Sequence, residues 1–155
     1  MRGLALVVVL LAGFAGCLLH RSGSSDDPGQ DGPGGEPRVC RAPLDCSADE
    51  LCARTHVCWP SDQLRAIHAS WTLKGAPASA TTCASAPGDL MITFSQSSGG
   101  HDDLSFVPVA CAEGKFTIDL VPLGYDRVAL GRQSGDGRQE AAVDAAGNAV
   151  LDLPY

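Results

Sequence analysis

Seven cysteines constrain the fold of this 155-residue chain more than any other feature, and four of them are evenly spaced with five residues in each gap. The evenly spaced four are Cys40, Cys46, Cys52 and Cys58. A zinc site would prefer paired ligands in the arrangement Cys-x-x-Cys, which is absent here. Disulfide bonds are therefore expected, and four cysteines allow three pairings. Because Leu44, Leu51 and Val57 are its main aliphatic residues, this span cannot bury a core, and we expect the bridges to hold it.

The first 16 residues have the layout of an export signal. Arg2 gives a positive start, and the twelve residues 4–15 are apolar or small and carry no charge. Such a run is too short to span a bilayer but fits the apolar region of a secretory signal peptide. Secreted proteins mature in an oxidising compartment, where disulfides persist.

The end of this leader, Phe14-Ala15-Gly16-Cys17, resembles the lipobox of bacterial lipoproteins, with Phe14 where Leu is commonest. The resemblance implies cleavage before Cys17, lipidation of the Cys17 thiol and a membrane anchor made of acyl chains, which contribute about 0.8 kcal/mol per buried methylene. Leu18 follows the cysteine in place of Asp, which favours the outer membrane by resemblance to the sorting rule of enteric bacteria. Residues 18–39 are rich in Gly, Pro and Ser and predict a flexible linker. With the cysteine whose lipidation the resemblance implies, this segment spans residues 17–39.

Residues 40–62 resemble the short cysteine-rich modules of exported proteins. The shared features are an acidic residue before the second cysteine, here Asp45, and a Cys-Trp-Pro exit, here at 58–60. The resemblance implies interleaved bridges, Cys40–Cys52 and Cys46–Cys58.

Residues 64–155 show apolar side chains with a period of two, which predicts β-strands. The alternating positions are Ile67, Ala69, Trp71 and Leu73; Leu90, Ile92 and Phe94; Leu104, Phe106 and Val109; Phe116, Ile118 and Leu120; Val128 and Leu130. Pro108 suits an edge strand or a bulge. Two runs near 139–144 and 148–153 predict a terminal hairpin. We therefore expect an all-β fold, an antiparallel sandwich of six or seven strands. Cys83 and Cys111 are the two cysteines left after Cys17 and the evenly spaced four, so we expect them to form a bridge.

The same region resembles the Ig-like, transthyretin-like or carboxypeptidase-regulatory-like β-sandwich found in many bacterial envelope lipoproteins. The positions that carry the likeness are Trp71, Lys74 to Pro77, Cys83, Cys111 to Gly114, and Leu123 to Tyr125. These are turn and core positions, so the resemblance implies a fold and no catalytic residues.

No motif for catalysis stands out. Gly-x-Ser-x-Gly, His-Glu-x-x-His and phosphate-binding glycine loops are absent from the sequence. The cluster His101-Asp102-Asp103 offers fewer ligands than a cation site needs. We predict no catalytic residue, no metal and no cofactor.

The net charge of −7 argues against a nucleic-acid partner. These features together predict a non-enzymatic, lipid-anchored protein of the cell envelope, which acts as a structural or interaction module toward an envelope protein or a glycan. The alternative is a small-ligand or glycan-binding lipoprotein, for which Trp59, Tyr125 and Tyr155 are the candidate exposed aromatic residues.

Overall fold

The computed structural model describes residues 37–86, 88–99 and 102–155. The leader, Cys17 and most of the linker lie outside these residues, so the predictions made for them stay predictions. The described chain is all-β apart from the four-residue helix α1 (Ala80–Cys83) and three short 3₁₀ turns. Its strands are β1 (Glu50–Cys52), β2 (Cys58–Pro60), β3 (Leu64–Leu73), β4 (Ala76–Pro77), β5 (Leu90–Ser95), β6 (Leu104–Val109), β7 (Lys115–Pro122), β8 (Arg127–Arg132), β9 (Gln139–Ala142) and β10 (Asn148–Leu153).

The predicted cysteine-rich segment, residues 40–62, lies within residues 37–63, which we call the module. The module contains a two-stranded sheet in which β1 and β2 are antiparallel. The structure joins its cysteines in the interleaved pattern, Cys40–Cys52 and Cys46–Cys58. Cys40 is buried, whereas the Leu44 side chain is 96% exposed. The module thus has covalent bridges where a larger unit would have an apolar core.

Asp45, the acidic residue that precedes the second cysteine, has a local structural role. Its carboxylate accepts hydrogen bonds from the backbone N–H groups of Arg41 and Ala42, at 2.7 and 2.8 Å. These two bonds lower the pKa of Asp45, because they stabilise the charged carboxylate. They close the turn that leads into the second cysteine.

One sheet of the larger region is built around the ten-residue strand β3. Strand β10 pairs with one edge of β3, and β4 and β7 pair with β3 as antiparallel neighbours. Alternate residues of β3 are buried from Ile67 to Leu73, which confirms the period-two prediction. Lys74 and Gly75 have φ values of 49° and 76°, and they form the two-residue turn between β3 and β4.

The second sheet has the strand order β6-β5-β8-β9, and all its pairs are antiparallel. Strand β6, which contains Pro108, lies at an edge of this sheet, and its register with β5 shifts between Leu90 and Ile92. The prediction of an edge strand or a bulge is confirmed, since β6 has both. Proline at an edge removes a donor without breaking an internal ladder.

Apolar side chains from both sheets form one core. Phe94 is fully buried, and its ring centroid lies 6.1 Å from that of Phe106 and 5.9 Å from that of Phe116. A disulfide joins Cys83, at the end of α1, to Cys111. The buried members of the core are Ile67, Ala69, Trp71, Leu73, Ala86, Leu90, Ile92, Phe94, Val109, Ile118, Val121, Tyr125, Val128, Leu130, Ala149, Leu151 and Leu153.

The carboxy-terminal strands differ from the prediction. The predicted terminal hairpin is wrong, because β9 pairs with β8 in one sheet and β10 pairs with β3 in the other. The β10–β3 pair is also parallel, so the sheets are not purely antiparallel. A turn at residues 144–148 carries the chain across, and Gly147, with φ of 85°, passes so close to the Ala66 carbonyl that a Cβ would collide with it. Two runs of alternating apolar and polar residues on either side of a turn have the same sequence pattern whether they pair with each other or join different sheets.

Strand β7 also departs from the predicted alternation. Ile118 is buried as predicted, but the next core residue is Val121, and Leu120 is only partly buried. The register shows why, since Arg65 pairs with Val121 and Ile67 pairs with Ile118, which leaves one extra residue on β7. Because of this β-bulge and the φ of 55° at Leu120, the side chains that follow the bulge face the opposite side of the sheet from the one that strict alternation predicts.

Candidate binding cleft

The turn that connects β1 to β2, residues 53–57, brings the cysteine-rich module into contact with the bulge of β7. His56 N–H donates to the Ala53 carbonyl at 2.9 Å, and Ala53 N–H donates to the Val57 carbonyl at 3.0 Å. His56 has a φ of 59°, the left-handed conformation that commonly ends such a turn. The turn thereby presents Arg54 and Thr55 at its tip.

Arg54 makes the contacts between this turn and the bulge. Its backbone N–H donates to the Leu120 carbonyl at 3.0 Å, and its guanidinium donates to the Asp119 carbonyl at 3.3 Å and to the Asp119 carboxylate. A bulge leaves backbone groups outside the strand ladder, and here Arg54 binds them. The hydrogen bond from Arg54 lowers the pKa of Asp119 below its usual range.

A cleft of about 370 Å³ lies between the module and the larger region. This volume is within the range of about 300–1,000 Å³ that is usual for small-molecule sites. The module contributes Pro37, Arg54, Thr55, His56, Val57 and Trp59, and the larger region contributes Gln96, Asp102, Leu104, Pro122 and Tyr125.

Trp59 is the aromatic residue that the module supplies to the cleft. It is partly exposed and pairs with Leu51 across the β1–β2 ladder, so both side chains stand on the same face. Val57 lies two residues earlier and shares that face. Trp59 was one of the candidates named from the sequence, and the structure places it at the cleft.

Tyr125 forms part of the opposite wall, but it is almost completely buried, so the prediction that it is an exposed aromatic residue is wrong. Its hydroxyl donates to the Asp102 carbonyl at 2.7 Å. Burial raises the pKa of this phenol, and the negative charges of Asp102 and Asp103 raise it further, so Tyr125 stays protonated and keeps this bond. The Arg65 guanidinium donates to the Tyr125 carbonyl at 2.7 Å and to the Asp144 carbonyl at 3.1 Å, which fixes the loop that carries Tyr125.

Tyr155, the third aromatic candidate, does not line this cleft. Its hydroxyl donates to the Asp136 carbonyl at 2.6 Å, and the Arg132 guanidinium lies 4.7 Å from the centre of its ring. The structure therefore brings Trp59 and Tyr125 together and leaves Tyr155 with a structural role near the end of the chain.

The cleft also contains polar groups that sequence reasoning did not identify. Thr55 Oγ1 is buried and has no hydrogen-bond partner among the described residues, which is uncommon for a buried hydroxyl. Gln96 and Asp102 reach the cleft from the segment that follows β5. No motif marks these positions, because they belong to turns that become neighbours only when the two regions pack together.

Three cysteines of the module lie as close together as the ligands of a metal ion. The sulfur atoms of Cys40, Cys46 and Cys58 all lie within 4.8 Å of one another. Each of these sulfurs is bonded in a disulfide, and a metal would require the thiolate. Of the polar cluster predicted near residue 102, His101 lies outside the described residues, and Asp102 lines the cleft.

Comparison of the chain with protein-family models, with curated proteins and with solved structures finds no match. Within the described ranges, no helix has the length and apolar character needed to cross a membrane.

Proposed function

We propose that this protein is a non-enzymatic, lipid-anchored protein of the bacterial cell envelope that acts as an interaction module. The observation that carries the proposal is the set of three disulfides in the described chain. Disulfides form and persist in exported proteins, which agrees with the leader and the lipobox-like cysteine in the sequence. In this proposal residues 1–16 are removed, Cys17 carries the lipid, and residues 18–39 tether the folded part to the outer membrane.

The folded part would then be a rigid head for recognition. We propose that its two four-stranded sheets belong to the Ig-like or transthyretin-like class of sandwich, with residues 64–155 as the domain and residues 40–62 as an attached disulfide module. Such sandwiches support binding through their loops rather than through a fixed chemistry.

A second candidate function is the binding of a small ligand, and the cleft favours it. A concave site with mainly apolar walls and a few convergent polar groups is the usual form of a small-molecule site. Here the walls come from two regions that the disulfides and the Arg54 contacts hold in place. An envelope protein that presents such a cleft would bind its partner through residues 54–59 and the loops that face them.

The anchor is tested by expressing the full chain in a bacterium and measuring the mass of the purified mature protein. We expect a chain that begins at Cys17 and carries two or three acyl chains, and that fractionates with membranes. The matched control is Cys17→Ser, which removes the lipidated thiol and should leave the protein without acyl mass. An unmodified wild-type chain that begins elsewhere would contradict the proposal.

A further inference from the structure

Backbone contacts, as well as disulfides, bring the four cysteines of the module together. Cys52 and Cys58 lie opposite each other in the β1–β2 ladder, although they are not bonded to each other. Residues opposite each other in a ladder have side chains on the same face, with Cβ atoms about 4.5–5.5 Å apart. The N–H of Cys40 donates to the His56 carbonyl at 2.8 Å, in the turn between those two strands. Three of the four cysteines are therefore neighbours because of how the backbone folds.

Cys46 ends a turn that is held by its own hydrogen bonds. Its N–H donates to the Pro43 carbonyl at 3.3 Å, and the Asp45 carboxylate accepts from two backbone N–H groups of the same turn. The Cys46 sulfur lies within 4.8 Å of the sulfurs of Cys40 and Cys58. In the described chain this group of candidate metal ligands consists of sulfur atoms alone.

The spacing of these sulfurs is close to that of zinc ligands. Four sulfurs at about 2.3 Å from one zinc ion, in a tetrahedron, lie about 3.8 Å from one another. The sulfurs of Cys40, Cys46 and Cys58 reach that separation if each moves by about 1 Å once the bridges are open. Thiolates also prefer zinc to hard cations such as Ca²⁺ and Mg²⁺.

The sequence argued against zinc because the paired spacing Cys-x-x-Cys is absent. Paired spacing brings two sulfurs together within one tight turn. In this fold the β1–β2 ladder does so instead, since it places Cys52 opposite Cys58. The missing motif therefore does not exclude a zinc site in the reduced protein.

We propose that the reduced module binds one zinc ion through the thiolates of its four cysteines, Cys40, Cys46, Cys52 and Cys58. A dithiol reductant opens each bridge by exchange, so that the dithiol becomes a disulfide and each bridge becomes two cysteine thiols. Zinc then displaces the four thiol protons and forms four Zn–S bonds. Disulfides and zinc are thus alternative cross-links of the same cysteines, and the module keeps its fold in oxidising and in reducing surroundings.

The turn that follows Cys52 distinguishes this site from thiols that merely collect around a metal. That turn presents Arg54, whose N–H donates to the Leu120 carbonyl at 3.0 Å. Zinc bound to Cys52 and Cys58 holds both ends of the turn in place, so the Arg54 contact should persist. A metal that collects the thiols of an unfolded segment would leave the Arg54 amide unprotected.

The test is a titration of the purified mature protein with Zn²⁺, without oxygen, before and after reduction. The reductant is a phosphine, because a dithiol would itself bind zinc. Calorimetry gives the stoichiometry and Kd, Co²⁺ in place of Zn²⁺ gives the absorption of a tetrahedral thiolate complex, and hydrogen exchange reports the Arg54 amide. We expect one zinc per reduced chain, protection of the Arg54 amide equal to that in the oxidised protein, and no binding before reduction.

Cys46→Ser removes one ligand. Loss of a group behind a ligand already costs 10–100-fold in affinity, so this variant should raise the Kd about a hundredfold or more. The matched control is the double variant Cys83→Ala with Cys111→Ala, which removes the two sandwich cysteines and should still bind one zinc ion with the wild-type Kd. Circular dichroism identifies a variant that does not fold, and Cys52→Ser then provides the same test from β1.

Four results would overturn the proposal. They are a reduced chain that binds no zinc, cysteine-to-serine variants of the module that keep the wild-type Kd, a double variant of the sandwich that loses zinc, and zinc binding that leaves the Arg54 amide unprotected. None of them bears on lipidation of Cys17, which the mass of the mature protein tests separately.

Discussion

The cysteine-rich module and the sandwich are stabilised by different means, although they are neighbours in one compact unit. The module leaves Leu44 almost fully exposed and Leu51 37% exposed, and two disulfides cross-link it. The sandwich buries Ile92, Phe94 and Leu130 completely and has one disulfide. The difference teaches that a short segment can present apolar side chains on its surface when covalent bonds replace the core.

The largest effect that we expect from this contrast is the response to reduction. Each module disulfide joins two cysteines that are 12 residues apart in the sequence. In the loop-entropy description, each contributes about 3 kcal/mol to the free energy of unfolding. Mild reduction should unfold residues 40–58 first, while the β-sheet signal from residues 64–155 survives with a lower Tm. Alkylation with mass mapping, combined with circular dichroism, measures both events. Two or more reactive thiols in the untreated protein would contradict the pairing.

The second prediction compares one apolar residue from each region. Phe94→Ala removes a ring that packs against Phe106 and Phe116, and it should lower the free energy of unfolding by about 3–5 kcal/mol. Leu44→Ala, the matched change in the module, should alter it by less than about 0.5 kcal/mol because Leu44 is 96% exposed. Denaturant unfolding followed by circular dichroism gives both values. Equal losses would show that the contrast between the regions is wrong.

The third prediction concerns the disulfide of the sandwich. The double variant Cys83→Ala with Cys111→Ala opens a loop of 28 residues and should cost roughly 3–4 kcal/mol in the loop-entropy description. The sandwich should nevertheless fold, since its core lies between two sheets and does not depend on this bridge. Thermal unfolding and the near-ultraviolet signal of buried Trp71 are the measurements. A variant that does not fold would show that the sandwich, like the module, depends on its disulfide for folding.

The smallest effect is expected where the two regions meet. Asp119→Asn weakens the contact with Arg54 and should reduce stability by less than about 1 kcal/mol, because both side chains are exposed. The pKa of Asp119 is lowered in the folded state, so its contribution is present above the unfolded value near 4 and is lost as the pH falls through the lowered pKa. The free energies of unfolding of wild type and Asp119→Asn should therefore differ at pH 7 and become equal in acid. Hydrogen exchange at the Arg54 amide reports the contact directly. The control is Glu140→Gln, which alters another exposed ion pair, the one with Arg127.

Much of the cleft could not be predicted from the sequence. Trp59 and Tyr125 could be named because aromatic residues are rare here, at 5% of the chain. Thr55 and Gln96 could not, since a threonine in a turn and a glutamine after a strand are common everywhere. Their role depends on which loops become neighbours, and that depends on how Arg54 binds the bulge of β7.

The sequence by itself determined the all-β character and the strand faces of β3, β5 and β8, because a side chain's face in a strand depends only on its parity along the chain. It also indicated, through a single proline, that β6 is an edge. Only the tertiary structure decided that β9 and β10 join different sheets, that β10 runs parallel to β3, and that Val121 rather than Leu120 enters the core. Pairing partners and bulges are set by contacts between residues far apart in the chain, and a local alternation of apolar and polar residues is the same for each of those arrangements.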